Sequence, residues 1–121
     1  MSELDDAKWA HRALQDIHRS VDTLLGMRAS GAGKAVIIAA SVALKDELKT
    51  ANRSGSYKGK KMPIEGPGRF LASAIQRASA DFRMRSDTDP SKVVWSATLN
   101  ELKAYFSDYS GRIRKECPEV E

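Results

Sequence analysis

The sequence predicts an all-α protein, a single domain over residues 1–121 built as a bundle of about four helices with a long basic loop between helices two and three. Apolar residues recur at steps of three and four along four segments, which places them on one face of each helix. The chain is 41% hydrophobic and 30% charged, as expected for a globular protein with one core. We expect helices at about residues 2–28, 32–51, 69–85 and 90–116, and the loop at residues 52–68.

The first helix is indicated by seven apolar residues on one face. Ser2 is the expected N-cap, and acidic residues fill the first turn, where the helix dipole favours negative charge. Residues 30–33 contain two glycines and are expected to end the helix. The predicted inward-facing residues are Ala7, Ala10, Leu14, Ile17, Val21, Leu24 and Leu25.

The second helix has a wide apolar face. Residues 35–40 also read as a buried strand, but the alanines and the continuation through residues 45–49 favour a helix. We expect this face to be either the most buried of the four or an interface with another chain. Its members are Val36, Ile37, Ala40, Leu44 and Leu48, widened by Ala39 and Ala43.

The third and fourth helices show the same spacing. Asp89 is the expected N-cap of the fourth helix, with Pro90 at its first position. The predicted inner face of the third helix is Leu71, Ala74, Ile75, Ala78 and Phe82. That of the fourth is Trp95, Leu99, Leu102, Phe106, Tyr109 and Ile113.

The excess of basic residues is confined to the predicted loop and its edges. The chain has a net charge of +4, and residues 53–69 alone account for it. A flexible basic loop suits a phosphate backbone, which it binds through ion pairing and counterion release, and a tyrosine beside the lysines suits base stacking. A solvated surface loop and contact with an acidic protein surface are the alternatives. The candidate nucleic-acid-binding residues are Arg53, Tyr57, Lys58, Lys60, Lys61 and Arg69.

No catalytic residue, metal site or cofactor is expected. His11 and His18 are seven residues apart on one helix, about 10 Å along its axis, too far to chelate one metal. Residues 26–35 resemble a phosphate-binding loop but have Arg28 and Ala35 where that motif needs glycine and a hydroxyl residue. Cys117 is expected to be an unremarkable thiol, with an intermolecular disulfide or a nucleophile as the alternatives.

The sequence gives no signal for export or membrane insertion. Residues 1–6 are acidic and lack the basic start and apolar core of a signal peptide. The longest largely apolar stretch, residues 35–44, is about half the length that a membrane-spanning helix needs. We therefore expect a cytoplasmic protein, and reducing conditions suit its unpaired cysteine.

These features favour a non-catalytic subunit that contacts RNA or single-stranded DNA backbone without sequence specificity, within a larger ribonucleoprotein or an oligomer. The basic stretch at residues 57–61, set between amphipathic helices, and the long helix carrying Trp95 and Ile113 resemble the small helical subunit of multi-subunit CRISPR effector complexes. The resemblance spans most of the chain and rests on architecture. It implies a role in lining guide RNA and displaced DNA, without nuclease activity.

A different function class is a helical protein–protein interaction module, such as a phage or plasmid regulator, a chaperone or an inhibitor. It would bind protein only and no nucleic acid. Its support is the wide apolar face of the second helix. Binding to unrelated oligonucleotides that weakens steeply with salt distinguishes the first function from this one.

Overall fold

The computed structural model describes residues 2–82 and 86–121. Within them, four helices and a small antiparallel sheet follow each other along the chain. The helices are α1 (Glu3–Ala29), α2 (Lys34–Ser54), α3 (Phe70–Asp81) and α4 (Val93–Glu116). The strands β1 (Ser56–Tyr57) and β2 (Lys60–Lys61) lie between α2 and α3, and 3₁₀ turns occupy Pro67–Arg69, Ser86–Thr88 and Pro118–Val120. The predicted all-α bundle of four helices is confirmed.

The core lies where α1 and α4 pack along each other, with α2 and α3 covering its sides. The predicted inner faces of α3 and α4 are fully confirmed, because every residue named for them is buried. On α1 all the named residues are buried except Leu25, which is half-buried. The largest side chains in this core are Trp95, Phe82 and Phe106. Helical spacing therefore predicted the core of these three elements well.

The α2 helix is less buried than its apolar sequence predicts. Ile37, Leu44 and Leu48 enter the core, but Val36 is 58% exposed. Ala39 and Ala43 are also exposed. The prediction that α2 is the most buried helix was therefore wrong. Its buried face includes Ser41 and Lys45, whereas Ala39 and Ala43 lie on the exposed side. Ser41 is completely buried, and its hydroxyl accepts a hydrogen bond from the Trp95 indole.

The long loop predicted over residues 52–68 is not found. The α2 helix continues to Ser54 and is closed by Gly55, which adopts φ +69°. The β1–β2 hairpin follows at once, and the Pro67–Arg69 turn begins six residues after it. A glycine-rich, basic stretch is often an irregular loop, and the prediction relied on this tendency. Here Gly55 instead caps α2 and Gly59 lies in the tight turn of the hairpin.

Two predicted helix ends also shift. Asp89 is not the N-cap of α4, which begins at Val93 after Lys92. Its carboxylate instead accepts hydrogen bonds from the backbone N–H and the hydroxyl of Ser91, at 2.9 and 2.7 Å, and pairs with Lys34 at 3.5 Å. At the other junction α3 ends at Asp81, and residues 83–85, which the predicted helix included, lie outside the described part of the chain.

Candidate nucleic-acid interface

The hairpin is a short, closed structure with a defined turn. Ser56 pairs with Lys61 and Tyr57 with Lys60, so Lys58 and Gly59 form a two-residue turn. Both turn residues have positive φ, +50° for Lys58 and +79° for Gly59, as a type I′ turn requires. The backbone N–H of Met62 donates to the carbonyl of Gly55 at 2.9 Å and closes the base of the hairpin. The basic residues are therefore carried on an ordered scaffold.

Tyr57 anchors the hairpin to α1 instead of presenting its ring to solvent. It is 3% exposed, and its ring centroid lies 6.3 Å from that of Trp9, with the planes tilted by 58°. Burial raises the pKa of Tyr57 well above its ordinary value, and the nearby Glu47 carboxylate adds to the effect. The prediction of Tyr57 as a base-stacking platform was wrong, because the alternation of the strand turns this ring towards the core.

Lys60 lies on the same face as Tyr57 and packs against Trp9. Its Nζ is 4.6 Å from the centroid of the Trp9 ring, within the range of a cation–π contact. The Nζ of Lys58 lies 5.4 Å from the Tyr57 ring centroid. Aromatic rings thus support two of the three hairpin lysines and hold their charges near the surface.

Four of the six predicted residues remain as cations at one end of the molecule. Arg53, on the last turn of α2, is exposed, as are Lys58 and Lys61, whereas Lys60 is half-buried. In the residues that the structure describes, none of the four forms an ion pair with a carboxylate. Their charge is therefore available to an external anion.

Arg69 does not join this group as a free cation. Its guanidinium donates to both carboxylate oxygens of Glu116, at 2.9 and 3.0 Å, and to the carbonyl of Gly66 at 2.7 Å. It also lies 4.2 Å from the centroid of the Phe70 ring. The pKa of Glu116 is lowered by this hydrogen-bonded pairing. Arg69 thus ties the start of α3 to the end of α4, which sequence spacing could not reveal.

Sequence reasoning missed Trp9, the residue on which the hairpin rests. It is half-buried and contacts both Tyr57 and Lys60. A signal was present, because Trp9 stands beside the predicted apolar face of α1 and not on it. A large aromatic residue off the main face indicates a second packing partner, here the hairpin.

The remaining reactive side chains lie on α1 and just after the end of α4. His18 faces Asp22, with Nδ1 and Oδ2 3.5 Å apart, whereas His11 is buried beside the Pro118–Val120 turn. Cys117 is also buried, and burial raises the pKa of its thiol. Within residues 2–82 and 86–121, no three His, Cys, Asp or Glu side chains are grouped so as to hold a metal ion.

Comparison of the chain with protein-family models, with curated proteins and with solved structures finds no match. None of the helices described above combines the length and the apolar character needed to cross a bilayer.

Proposed function

We propose that the protein is a non-catalytic subunit that binds the phosphate backbone of RNA or single-stranded DNA through its hairpin end, without sequence specificity. The observation that carries the proposal is the placement of Arg53, Lys58, Lys60 and Lys61 on one ordered segment, free of ion pairs among the described residues. Cations of this kind release condensed counterions when they meet phosphates, which favours binding of any base sequence.

The hairpin exposes no aromatic ring on which a base could stack. Tyr57 is buried, and Trp9 is covered by Lys60 and by the Tyr57 ring. Affinity is therefore expected to come from ion pairing, with stacking contributing little. A ribonucleoprotein or oligomer in a reducing cytoplasm is the proposed setting, where several hairpins along one strand add their modest affinities.

The test is a titration of fluorescent single-stranded RNA and DNA oligonucleotides of unrelated sequence, followed by anisotropy at several salt concentrations. Four phosphate contacts predict a slope of about −3 for log K against log salt. The variant Lys58→Ala/Lys60→Ala/Lys61→Ala is expected to bring the slope to about −1 and to weaken binding at least tenfold at low salt. Absence of binding by the unmodified protein at low salt would overturn the proposal.

A matched control removes three cations elsewhere. Lys8, Lys92 and Lys115 are exposed and lie on or beside α1 and α4, outside the hairpin and α2. Their triple replacement by alanine changes the net charge by the same amount as the hairpin variant. If both variants weaken binding equally, overall charge and not the hairpin is responsible, and the site assignment is wrong.

The resemblance to the small helical subunit of multi-subunit CRISPR effector complexes fits within this proposal. It assigns the hairpin end to guide RNA and displaced DNA, and the helical faces to neighbouring subunits. Four helices carrying one cationic projection support it. Similar affinities for single-stranded RNA and DNA of equal length are expected, whereas strict preference for duplex DNA would contradict this role.

A protein-binding module that contacts no nucleic acid is the second candidate. It is favoured by exposed apolar side chains, because Val93 is 87% exposed, Ile64 79% and Val36 58%. Exposed valine and isoleucine are a common feature of docking surfaces when they cluster. Oligonucleotide binding that is absent, or that does not depend on salt or on the hairpin lysines, would favour this function.

A further inference from the structure

The segment after the hairpin forms an exposed apolar ridge with opposite charge on its two sides. Ile64 is 79% exposed at its crest, and the half-buried Pro63 stands beside it. Two shallow depressions share Pro63, Ile64 and Asp6 in their walls. The ridge therefore separates the two depressions.

The two depressions differ in charge. One, with a volume of about 450 Å³, is bordered by Lys60 and Lys61. The other, of about 420 Å³, is bordered by Glu3 and Glu65. In the described part of the chain, none of these four side chains has an ion-pair partner. A surface with a cationic side, an apolar crest and an anionic side is complementary to itself after rotation by 180°.

The ridge is held firmly on α1. A Cβ on Gly68 would lie 3.0 Å from the Pro63 ring and 3.2 Å from the carbonyl oxygen of Asp6, so a side chain there would push these neighbours apart by a few tenths of an ångström. Gly66 adopts φ +67°, and a Cβ there would lie 3.1 Å from the Glu3 carboxylate. Such packing presents Ile64 in one position and lowers the entropic cost of docking.

We propose that this ridge is the interface of a homodimer, with a second copy of the chain docked about a two-fold axis that passes near Ile64. In that arrangement each Ile64 packs against the ridge of the other copy. The Lys60–Lys61 side of each copy faces the Glu3–Glu65 side of the other. The charge pattern selects a second copy over an acidic or a basic partner, because a partner of uniform sign would meet like charge on one side of the ridge. The dimer is argued from different observations than nucleic-acid binding, but both would use Lys60 and Lys61, so nucleic acid is expected to compete with dimerisation.

The test is sedimentation velocity without nucleic acid, over protein concentrations of about 1 μM to 1 mM, which span weak to moderate dimers. The unmodified chain is expected to dimerise, with an affinity that falls as salt screens the charges. Lys61→Glu and Glu65→Lys are each expected to raise the dissociation constant at least tenfold. A monomer at every concentration would overturn the proposal.

Mixing these two variants gives the decisive measurement. In a two-fold dimer each variant alone brings like charges together twice, whereas the mixed pair restores attraction at both places. A heterodimer as stable as the unmodified dimer is therefore expected, and the double variant Lys61→Glu/Glu65→Lys should dimerise with itself. Failure of the mixture to associate would show that these sides do not face each other, and would overturn the two-fold arrangement.

Ile64→Ser tests the apolar crest and has a matched control. Val93 is likewise exposed and branched at Cβ but lies at the start of α4, so Val93→Ser should leave the dimer unchanged. Ile64→Ser should abolish dimerisation while keeping Arg53 and the three hairpin lysines. Its oligonucleotide binding thus reports on the nucleic-acid proposal separately. Equal effects of the two serine variants would contradict the ridge as the interface.

Discussion

The indole Nε1 of Trp95 donates a hydrogen bond to the hydroxyl of Ser41 across 3.0 Å, within the core where both residues are completely buried. This bond joins the first turn of α4 to the middle of α2. It explains why a serine occupies the inner face of α2, between Ile37 and Leu44. A buried indole N–H is costly to leave unpaired, so the serine satisfies a donor that the large aromatic side chain brings into the core.

Ser41→Ala is expected to lower the free energy of unfolding by about 1–3 kcal/mol, because it leaves the Trp95 N–H buried without its acceptor. Urea unfolding followed by circular dichroism measures this loss. Ser107→Ala, an exposed change on α4, serves as the control and should have little effect. In the Trp95→Phe background the loss from Ser41→Ala should shrink. A loss of equal size in that background would show that the bond contributes nothing.

The pairing of Arg69 with Glu116 predicts a pH-dependent contribution to stability. The pKa of Glu116 is held below its ordinary value of 4.5 by its hydrogen bonds with Arg69. A carboxylate whose folded pKa is lowered stabilises the fold above its unfolded pKa, and this contribution disappears as pH falls through the folded value. Glu116→Gln should therefore lower stability modestly at neutral pH, with the difference from the unmodified protein vanishing well below pH 4.5.

Urea midpoints measured across this acidic range give the result. Glu101→Gln makes the same chemical change at an exposed site on α4 and is the control. A constant difference between Glu116→Gln and the unmodified protein at every pH would contradict the ion pair as its cause. High salt should also reduce the effect, since both partners are partly exposed.

Helical spacing was sufficient to predict the core, because a long helix buries the residues of the same face at every turn. Each inner-face residue named for α3 and α4 from this spacing is buried, from Leu71 to Ile113. The same spacing misjudged α2, where alanines on the outer side make the sequence look apolar all round. Ser41 takes an inner position there because its hydroxyl accepts a hydrogen bond from Trp95 of α4, a partner that a local pattern does not contain.

The sequence predicted where the positive charges of the candidate site lie, but not which of its side chains are buried or paired. Sequence located the cations of residues 53–61, and the structure places Arg53, Lys58, Lys60 and Lys61 at one end. Tyr57 packs against Trp9, 48 residues away along the chain, and Arg69 pairs with Glu116, 47 residues away. Such long-range contacts decide whether a basic or aromatic residue is free to bind, and composition does not encode them.

The positive φ angles of the hairpin turn predict how substitutions at Lys58 and Gly59 change stability. Gly59→Ala places a Cβ at φ +79° and is expected to cost about 1 kcal/mol. Lys58→Asn should be more stable than Lys58→Ala, because asparagine tolerates the positive φ of this position, while both variants lose the same charge. Thermal unfolding compares the variants. Equal stability of Lys58→Asn and Lys58→Ala would contradict a type I′ turn at residues 58 and 59.

His11 predicts a loss of stability in weakly acidic solution. It is 5% exposed, its Nε2 has no hydrogen-bond partner among the described residues, and its pKa is lowered by burial and by the charge of Arg114, against a smaller raising effect of Glu121. The fold therefore favours the neutral imidazole more than the unfolded chain does, where it takes up a proton near its ordinary pKa of 6.5.

A base whose folded pKa is lowered favours unfolding as pH drops below the unfolded value, because the unfolded state binds the additional proton. The free energy of unfolding should thus fall as pH drops below the unfolded pKa of 6.5, with a slope of at most about 1.4 kcal/mol per pH unit from this one group. His11→Leu removes the titrating group and should flatten the profile while keeping the site filled. Urea unfolding at several pH values compares the two slopes, and an unchanged slope in His11→Leu would assign the acid sensitivity to other residues.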